Sequence, residues 1–247
     1  MKLSVVIPCY NEEKSIPLIL SRFKDVILRD DIELILVNNG STDNSENVIK
    51  SHLSQYSFAS TQNVLVNEGY GLGILSGMKV AKGDYIAWTH ADMQTDPYDT
   101  VRALELIEKS QIPQRTFVKG KRKKRRFVDG IFTFGMSVFE TVYLRTWFSD
   151  INAQPNLFHR SFIESWKNPP YDFSLDLYAF YMARRHKLEI IRFPVLYEKR
   201  MYGHSHWNSG LQSKYKFIKR TLEFSHKLKK NIDLYSFNQA EDPYILK

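Results

Sequence analysis

The chain has 247 residues, 43% of them hydrophobic, and a formal net charge of +8. That apolar fraction excludes disorder of the whole and suits one large domain, or a domain with an appendage. Cys9 is the one cysteine, which excludes a disulfide framework. The one Asn-x-Ser/Thr sequon, Asn39-Gly40-Ser41, falls in a loop read below as ligand-facing. Both features fit a reducing, cytoplasmic setting. Met1–Pro8 is too short in apolar residues for a signal peptide, and no segment approaches the roughly 20 apolar residues of a membrane span. The basicity is local: seven cations stand in Lys119–Arg126.

Apolar runs and amphipathic stretches alternate from the start. Leu3–Cys9 reads as a buried strand and Ser15–Leu28 as a helix, with Ser15 as N-cap and Pro17 in the first turn. Ile32–Val37 is the next strand. Asp43–Tyr56 is a helix whose Asp43 and Glu46 resemble a capping box. Asn63–Val66 reads as a short strand, Gly73–Ala81 as a helix ended by Gly83, Asp84–Thr89 as a strand and Pro97–Lys109 as a helix. This order predicts an α/β fold, a mostly parallel sheet with helices on both faces.

Later segments are more aromatic and basic. Thr116–Val118 is a brief strand, Ile131–Phe148 an apolar helix, Ser174–His186 a helix and Leu188–Val195 a strand. Leu211–Lys230 is a basic amphipathic helix, and Asn231–Lys247 reads as a tail. The division expected is one domain over 1–230, with a nucleotide-binding half (1–118) and an acceptor- and membrane-facing half (119–230).

In open α/β sheets ligands bind beyond the carboxyl ends of the strands. Four successive strand ends carry polar groups: Tyr10-Asn11-Glu12, Asn38-Asn39-Gly40-Ser41, Asn67-Glu68-Gly69-Tyr70-Gly71, and His90-Ala91-Asp92-Met93-Gln94. Any one is an ordinary turn, but together they predict a single ligand rim. The glycines at 69, 71 and 73 are not a dinucleotide fingerprint, because 74 and 76 are Ile and Ser.

Five stretches, "SVVIPCYNEE", "LILVNNGSTDNS", "NEGYGLGILSGMKVAKGDYIAWTHADMQTDP", "SDINAQPNLFHR" and "FPVLYEKRMYGHSHW", resemble the family 2 glycosyltransferases of GT-A fold over about residues 1–230. The branch they look most like is that of dolichyl-phosphate-mannose synthase. The resemblance implies an inverting transfer from a nucleotide-sugar donor to a lipid-linked or glycan acceptor. Pro8, Tyr10, Asn11, Glu12, Asn39, Asp43, Asn67, Gly71, His90 and Ala91 would surround the donor. The family's Asp-x-Asp-x-Gln holds Mg²⁺ or Mn²⁺, and here those positions are His90, Asp92 and Gln94. Hard cations prefer oxygen, and imidazole suits Mn²⁺ better than Mg²⁺. His90 is therefore either a tuning ligand or a hydrogen-bonding neighbour of Asp92. Asn39 stands where the family has an aspartate, so base preference is open.

The resemblance also places Asp176 near the acceptor, as a general base if the acceptor is a hydroxyl. A helix-start carboxylate is the alternative. Arg122 and Arg200 match phosphate-binding arginines, and His206 replaces a lysine. The basic run followed by an apolar helix predicts peripheral attachment to the inner membrane face, with core packing of that helix as the alternative. No nucleic-acid reader motif accompanies the cations. The rival to an enzyme is a non-catalytic nucleotide-sugar or lipid-binding module, favoured by His90 and His206.

Overall fold

A computed structural model describes residues 1–123, 127–198, 200, 202 and 211–232, the side chains of 127–133, 211–214, 216, 217, 231 and 232 excepted. In chain order the elements are β1 (Leu3–Cys9), α1 (Ile16–Val26), β2 (Ile32–Asn39), α2 (Ser45–Leu53), β3 (Ala59–Val64), α3 (Tyr70–Val80), β4 (Tyr85–Trp88) and α4 (Tyr98–Glu108). Then follow β5 (Thr116–Lys123), α5 (Phe127–Tyr143), β6 (Asn156–His159), α6 (Ser161–Glu164), α7 (Ser174–Arg185), β7 (Glu189–Leu196) and α8 (Leu211–Ile232). The seven strands form one sheet in the order β3-β2-β1-β4-β6-β5-β7. All pairings are parallel except those of β6, which runs antiparallel to both β4 and β5.

The alternation of β1 and β2 builds two cores. Leu3, Val5 and Ile7 with Leu34 and Leu36 meet Ile19, Leu20 and Phe23 of α1 and Leu104 and Ile107 of α4. Val6, Ile35 and Val37 face the other way, onto Ile74 and Met78 of α3 and the α7 residues Leu177 and Phe180. Helices therefore cover both faces, as the sequence pattern predicts.

Three expectations shift. The third strand lies at Ala59–Val64, and Leu65 and Val66 are exposed beyond it. As an edge strand it pairs through its backbone with β2, so its polar side chains carry no apolar signal. The fifth strand continues through Lys123, into the basic run. Lys119, counted in that run as a surface cation, is wholly buried. The antiparallel β6, in "NLFH", has no counterpart in the sequence reading.

Helix α5 starts at Phe127, earlier than expected, and is inverted relative to a core helix. Its inward residues include Ser137 and Glu140, whereas Phe134, Val138 and Val142 point outward. Glu140 packs on α8, where Ser225 Oγ lies 2.7 and 2.8 Å from its two carboxyl oxygens and 2.8 Å from the Thr221 carbonyl. One hydroxyl proton cannot serve all three contacts. With Glu140 protonated, one carboxyl oxygen donates to Ser225 and Ser225 donates to Thr221, which serves two of the three. Burial accordingly pushes the Glu140 carboxyl up to about 7. Tyr143 Oη lies 2.9 Å from His226 Nδ1 and adds to the same helix pair.

A carboxyl whose folded pKa is raised binds its proton more tightly in the native state, so stability falls as pH rises from 4.5 through about 7. Glu140→Gln, which keeps a donor toward Ser225, removes this component. Melting temperatures of wild type and variant should lie close together at pH 4.5 and separate as pH rises to 8, wild type becoming the lower. Parallel curves would contradict a buried neutral Glu140.

Candidate functional site

The parallel register sets Cys9 opposite Asn38, Asn39 opposite Val64 and Val6 opposite Trp88, so the ends of β1, β2, β3 and β4 open onto one rim. Strand order reverses between β1 and β4, which makes the crevice beyond those two strands the topological switch point.

The loops after β1 and β2 are zipped together. The Asn11 N–H donates to Ser41 Oγ (3.1 Å), the Thr42 N–H to Asn11 Oδ1 (2.8 Å) and the Glu12 N–H to Ser45 Oγ (2.9 Å). Asp43 accepts from the backbone of Glu13 (3.3 Å) and of Ser45 (2.9 Å). Asn11 adopts φ 57°, a left-handed conformation that asparagine tolerates. Asn11 and Asp43 thus shape the loops. Tyr10 is exposed, and Ala91 is buried.

Asn39 donates from Nδ2 to the Gly69 carbonyl (3.0 Å), and its buried Oδ1 has no partner among the described residues. Asn67 accepts from the Gly69 N–H at 2.9 Å. Gly69, at φ 135°, is pressed against the Tyr171 carbonyl, and Gly71 against the Pro170 carbonyl, where a side chain would collide. A Cβ on Gly73 would crowd Pro8 and Asn39, so α3 sits close over the ends of β1 and β2.

Asp92 is 6% exposed. Its Oδ1 accepts from the Gln94 N–H (3.1 Å) and its Oδ2 from Arg200 Nη2 (2.9 Å). Arg200 Nη1 stands 3.9 Å from Glu12 Oε1, so the guanidinium links the ends of β1 and β4. Burial raises the Glu12 carboxyl pKa; the Ser15 hydrogen bond and Arg200 oppose the rise, while Asp92 and Asp43 add to it. Gln94 is engaged at both ends, its Oε1 accepting from Tyr197 Oη (2.8 Å) and its Nε2 donating to the Glu198 carbonyl (3.0 Å).

The His90 ring packs against Tyr70 at 5.3 Å. Burial lowers its pKa; the charges of Asp92 and Asp176 oppose that and those of Arg122 and Arg200 reinforce it. The lowered pKa favours the neutral imidazole, which carries a lone pair. Among the described residues no three His, Cys, Asp or Glu side chains cluster as a metal site. The donor chemistry of Asp92, His90 and the Gln94 carbonyl still fits a divalent ion, and Arg200 stands in for a cation at Asp92.

The profile of glycosyl transferase family 2 matches residues 4–178. The chain belongs to that family. A curated relative, the undecaprenyl-phosphate 4-deoxy-4-formamido-L-arabinose transferase of Aeromonas hydrophila, is 37% identical over 107 residues, 42% of this chain and 32% of that protein. The transferase of the same name from Photorhabdus laumondii is 37% identical over 115 residues, 43% of this chain and 34% of that protein. The matched stretch is thus about a third of the length of these relatives. Glucosyl-3-phosphoglycerate synthase of Mycobacterium tuberculosis, crystallised with Mn²⁺ and UDP-glucose, superposes with TM-score 0.67 at 17% identity, covering 91% of this chain and 78% of that one. A second mycobacterial protein gives TM-score 0.70 at 17% identity, covering 91% and 74%. At such identities the likeness is one of fold.

In this family 2 chain the acceptor-side expectations divide. Arg122 is committed through Nε (2.8 Å) and Nη2 to Asp150 and lies over the Tyr197 ring. His206 lies outside the described residues. Asp176, expected as an acceptor-facing base, is wholly buried. Its Oδ1 accepts from Trp88 Nε1 (3.1 Å), Gln154 Nε2 (2.9 Å) and Asn156 Nδ2 (3.0 Å), while its buried Oδ2 has no partner among the described residues.

Gln154 Nε2 also reaches Tyr70 Oη (3.2 Å), and Lys119 Nζ donates to Asn156 Oδ1 (2.6 Å) and the Ala153 carbonyl (2.9 Å). Burial brings the Lys119 amine down to about 7, with Asp176 opposing. The carboxylate therefore anchors a polar network beneath His90 and Tyr70. Sequence reasoning assigned no role to Asp150, Gln154 or Asn156. The signal was present in "SDINAQPNLFHR", whose polar residues precede a four-residue strand.

Asp176→Ala strands three N–H donors at about 1–3 kcal/mol each, so urea unfolding should show a loss of at least about 3 kcal/mol. Asp176→Asn keeps an acceptor oxygen and should lose clearly less. Equal losses would contradict the network assignment.

Proposed function

We propose that this family 2 chain is a metal-dependent glycosyltransferase that moves a sugar from a nucleotide-diphosphate donor to a lipid-linked or glycan acceptor at a membrane surface. The observation that carries the reading is Asp92 at the switch-point crevice, facing Glu12 and Arg200 and flanked by His90. The relatives named for undecaprenyl-phosphate and the neighbour crystallised with Mn²⁺ and UDP-glucose support it. Asp92 would hold the metal, with His90 and Gln94 beside it. When bound, the ion would offset charge growing on the leaving diphosphate.

The donor would lie along the rim lined by Pro8, Tyr10, Asn39, Asn67 and Gly71. Asn39 Oδ1 is the acceptor available there. Asp176 would act from below, holding Trp88, Gln154 and Tyr70 in place. A phosphate acceptor, already anionic, needs no general base. Arg200 would serve phosphate oxygens as a charge-assisted donor.

The acceptor class is supported by α5. On α5 Phe134 is 71% and Val142 74% exposed, while the helix buries Ser137 and Glu140, and just beyond its end Trp147 is 68% exposed. An exposed large apolar face is the informative departure from globular packing. Exposed cations, Lys121, Lys123, Arg145, Lys229 and Lys230, accompany α5 and α8. An anionic bilayer fits both features. No helix among the described residues is long and apolar enough to cross a membrane.

Two outcomes test the reading. Calorimetric titration of UDP and GDP with Mn²⁺ should show binding that Asp92→Ala weakens by at least about 100-fold, since losing a ligand exceeds the usual cost of disturbing its supporting shell. Undiminished affinity would remove Asp92 from the metal site. Sedimentation with phosphatidylglycerol vesicles should carry down the wild type, and Phe134→Ser with Val142→Ser should leave most of it in solution. Binding indifferent to those changes would remove α5 from the membrane face.

A further inference from the structure

Arg200 lies just beyond β7 and reaches back across the rim. Its Nη2 donates to Asp92 Oδ2 at 2.9 Å, and its Nη1 is 3.9 Å from Glu12 Oε1. The three are largely enclosed, the side chain alone being 25% exposed for Arg200, 12% for Glu12 and 8% for Asp92. The guanidinium therefore sits as a cation between two acids that come from different strand ends.

A divalent ion the size of Mg²⁺ needs a carboxylate oxygen at about 2.0–2.1 Å. Asp92 Oδ2 is the oxygen turned toward the crevice, because Oδ1 is held by the Gln94 backbone. A guanidinium on that oxygen takes up one of its lone pairs and repels a metal nearby. Arg200 and a metal ion therefore compete for Asp92 as the residues now stand.

Resting on the reading of Asp92 as the metal ligand, we propose that Arg200 is an exchangeable cation plug, holding Asp92 and Glu12 together until a metal–diphosphate pair displaces it. The displaced guanidinium gains a new partner in the incoming phosphate oxygens, to which arginine binds through two parallel N–H donors. Metal alone offers no such partner, so metal alone binds poorly and metal with diphosphate binds well. Glu12 acquires a role beyond donor contact: it is the second acid that retains the plug.

The test uses Mn²⁺ alone, with free ion counted by its electron paramagnetic resonance signal. Arg200→Met should bind Mn²⁺ at least about tenfold more tightly than wild type, from removal of one competing charge at this range. Arg200→Lys, which keeps the charge, should stay close to wild type, and Arg200→Met with Asp92→Ala should lose the gain. Equal Mn²⁺ affinity in wild type and Arg200→Met, abolished in both by Asp92→Ala, would overturn the plug and leave the metal site standing. No Asp92-dependent binding in any variant would overturn both.

A second measurement needs no folded Met variant. The Arg200 Nε–H nuclear magnetic resonance signal of the wild type, assigned by its loss in Arg200→Lys, should move with Mg²⁺ plus inorganic pyrophosphate and stay with Mg²⁺ alone. A signal unmoved by the pair would overturn the plug.

Discussion

Parallel pairing of β1 with β2 on one side and β4 on the other levels the carboxyl ends of these strands. The order reverses there, and Glu12 and Asp92, from the loops beyond those two strand ends, meet through one guanidinium. Loop zipping around Asn11 and Asp43 and the close approach of α3 at Gly73 give the crevice its walls. A slip of one residue in β4 would turn Trp88 away from Asp176 and disturb the site from beneath.

The antiparallel β6 supplies the floor. Inserted between β4 and β5, it brings Asn156 within reach of both Lys119 and Asp176, and Gln154 just before it reaches Tyr70. A buried cation and a buried carboxylate are costly apart, and here amide side chains link them. The network lies under His90 and Tyr70, while α5 and α8 carry an apolar and basic exterior. On the proposed function, one element set would serve the nucleotide and the other a membrane surface.

Much of this was legible in the residues. Strong apolar runs at Leu3–Cys9 and Ile32–Val37 announce buried parallel strands, and polar clusters after them announce the rim. Asp92 and Arg200 were marked by family pattern, yet their mutual contact was not, because residues 108 positions apart carry no local sign of pairing. Lys119 looked like one of a row of surface cations. Alternation along β5 puts Lys119 on the same face as Lys121 and Lys123, and it alone is covered, where the Ala153 carbonyl and Asn156 accept from its amine. Asp176 carries the same lesson: its place in a helix's first turn gives no hint that Trp88, Gln154 and Asn156 close over it. The β3 edge was misplaced because polar residues pair there through backbone alone.

The central claim is that the crevice at Glu12 and Asp92 cleaves a nucleotide–sugar bond with the help of a divalent ion. Release of nucleoside diphosphate from UDP- and GDP-sugars by purified protein, with Mn²⁺ and polyprenyl-phosphate vesicles, tests it most directly. Release that stops with chelator and with Asp92→Ala is the predicted result. Tight binding of a nucleotide-sugar without release under any of these conditions would contradict it, and would make the chain a binding module built on a glycosyltransferase fold.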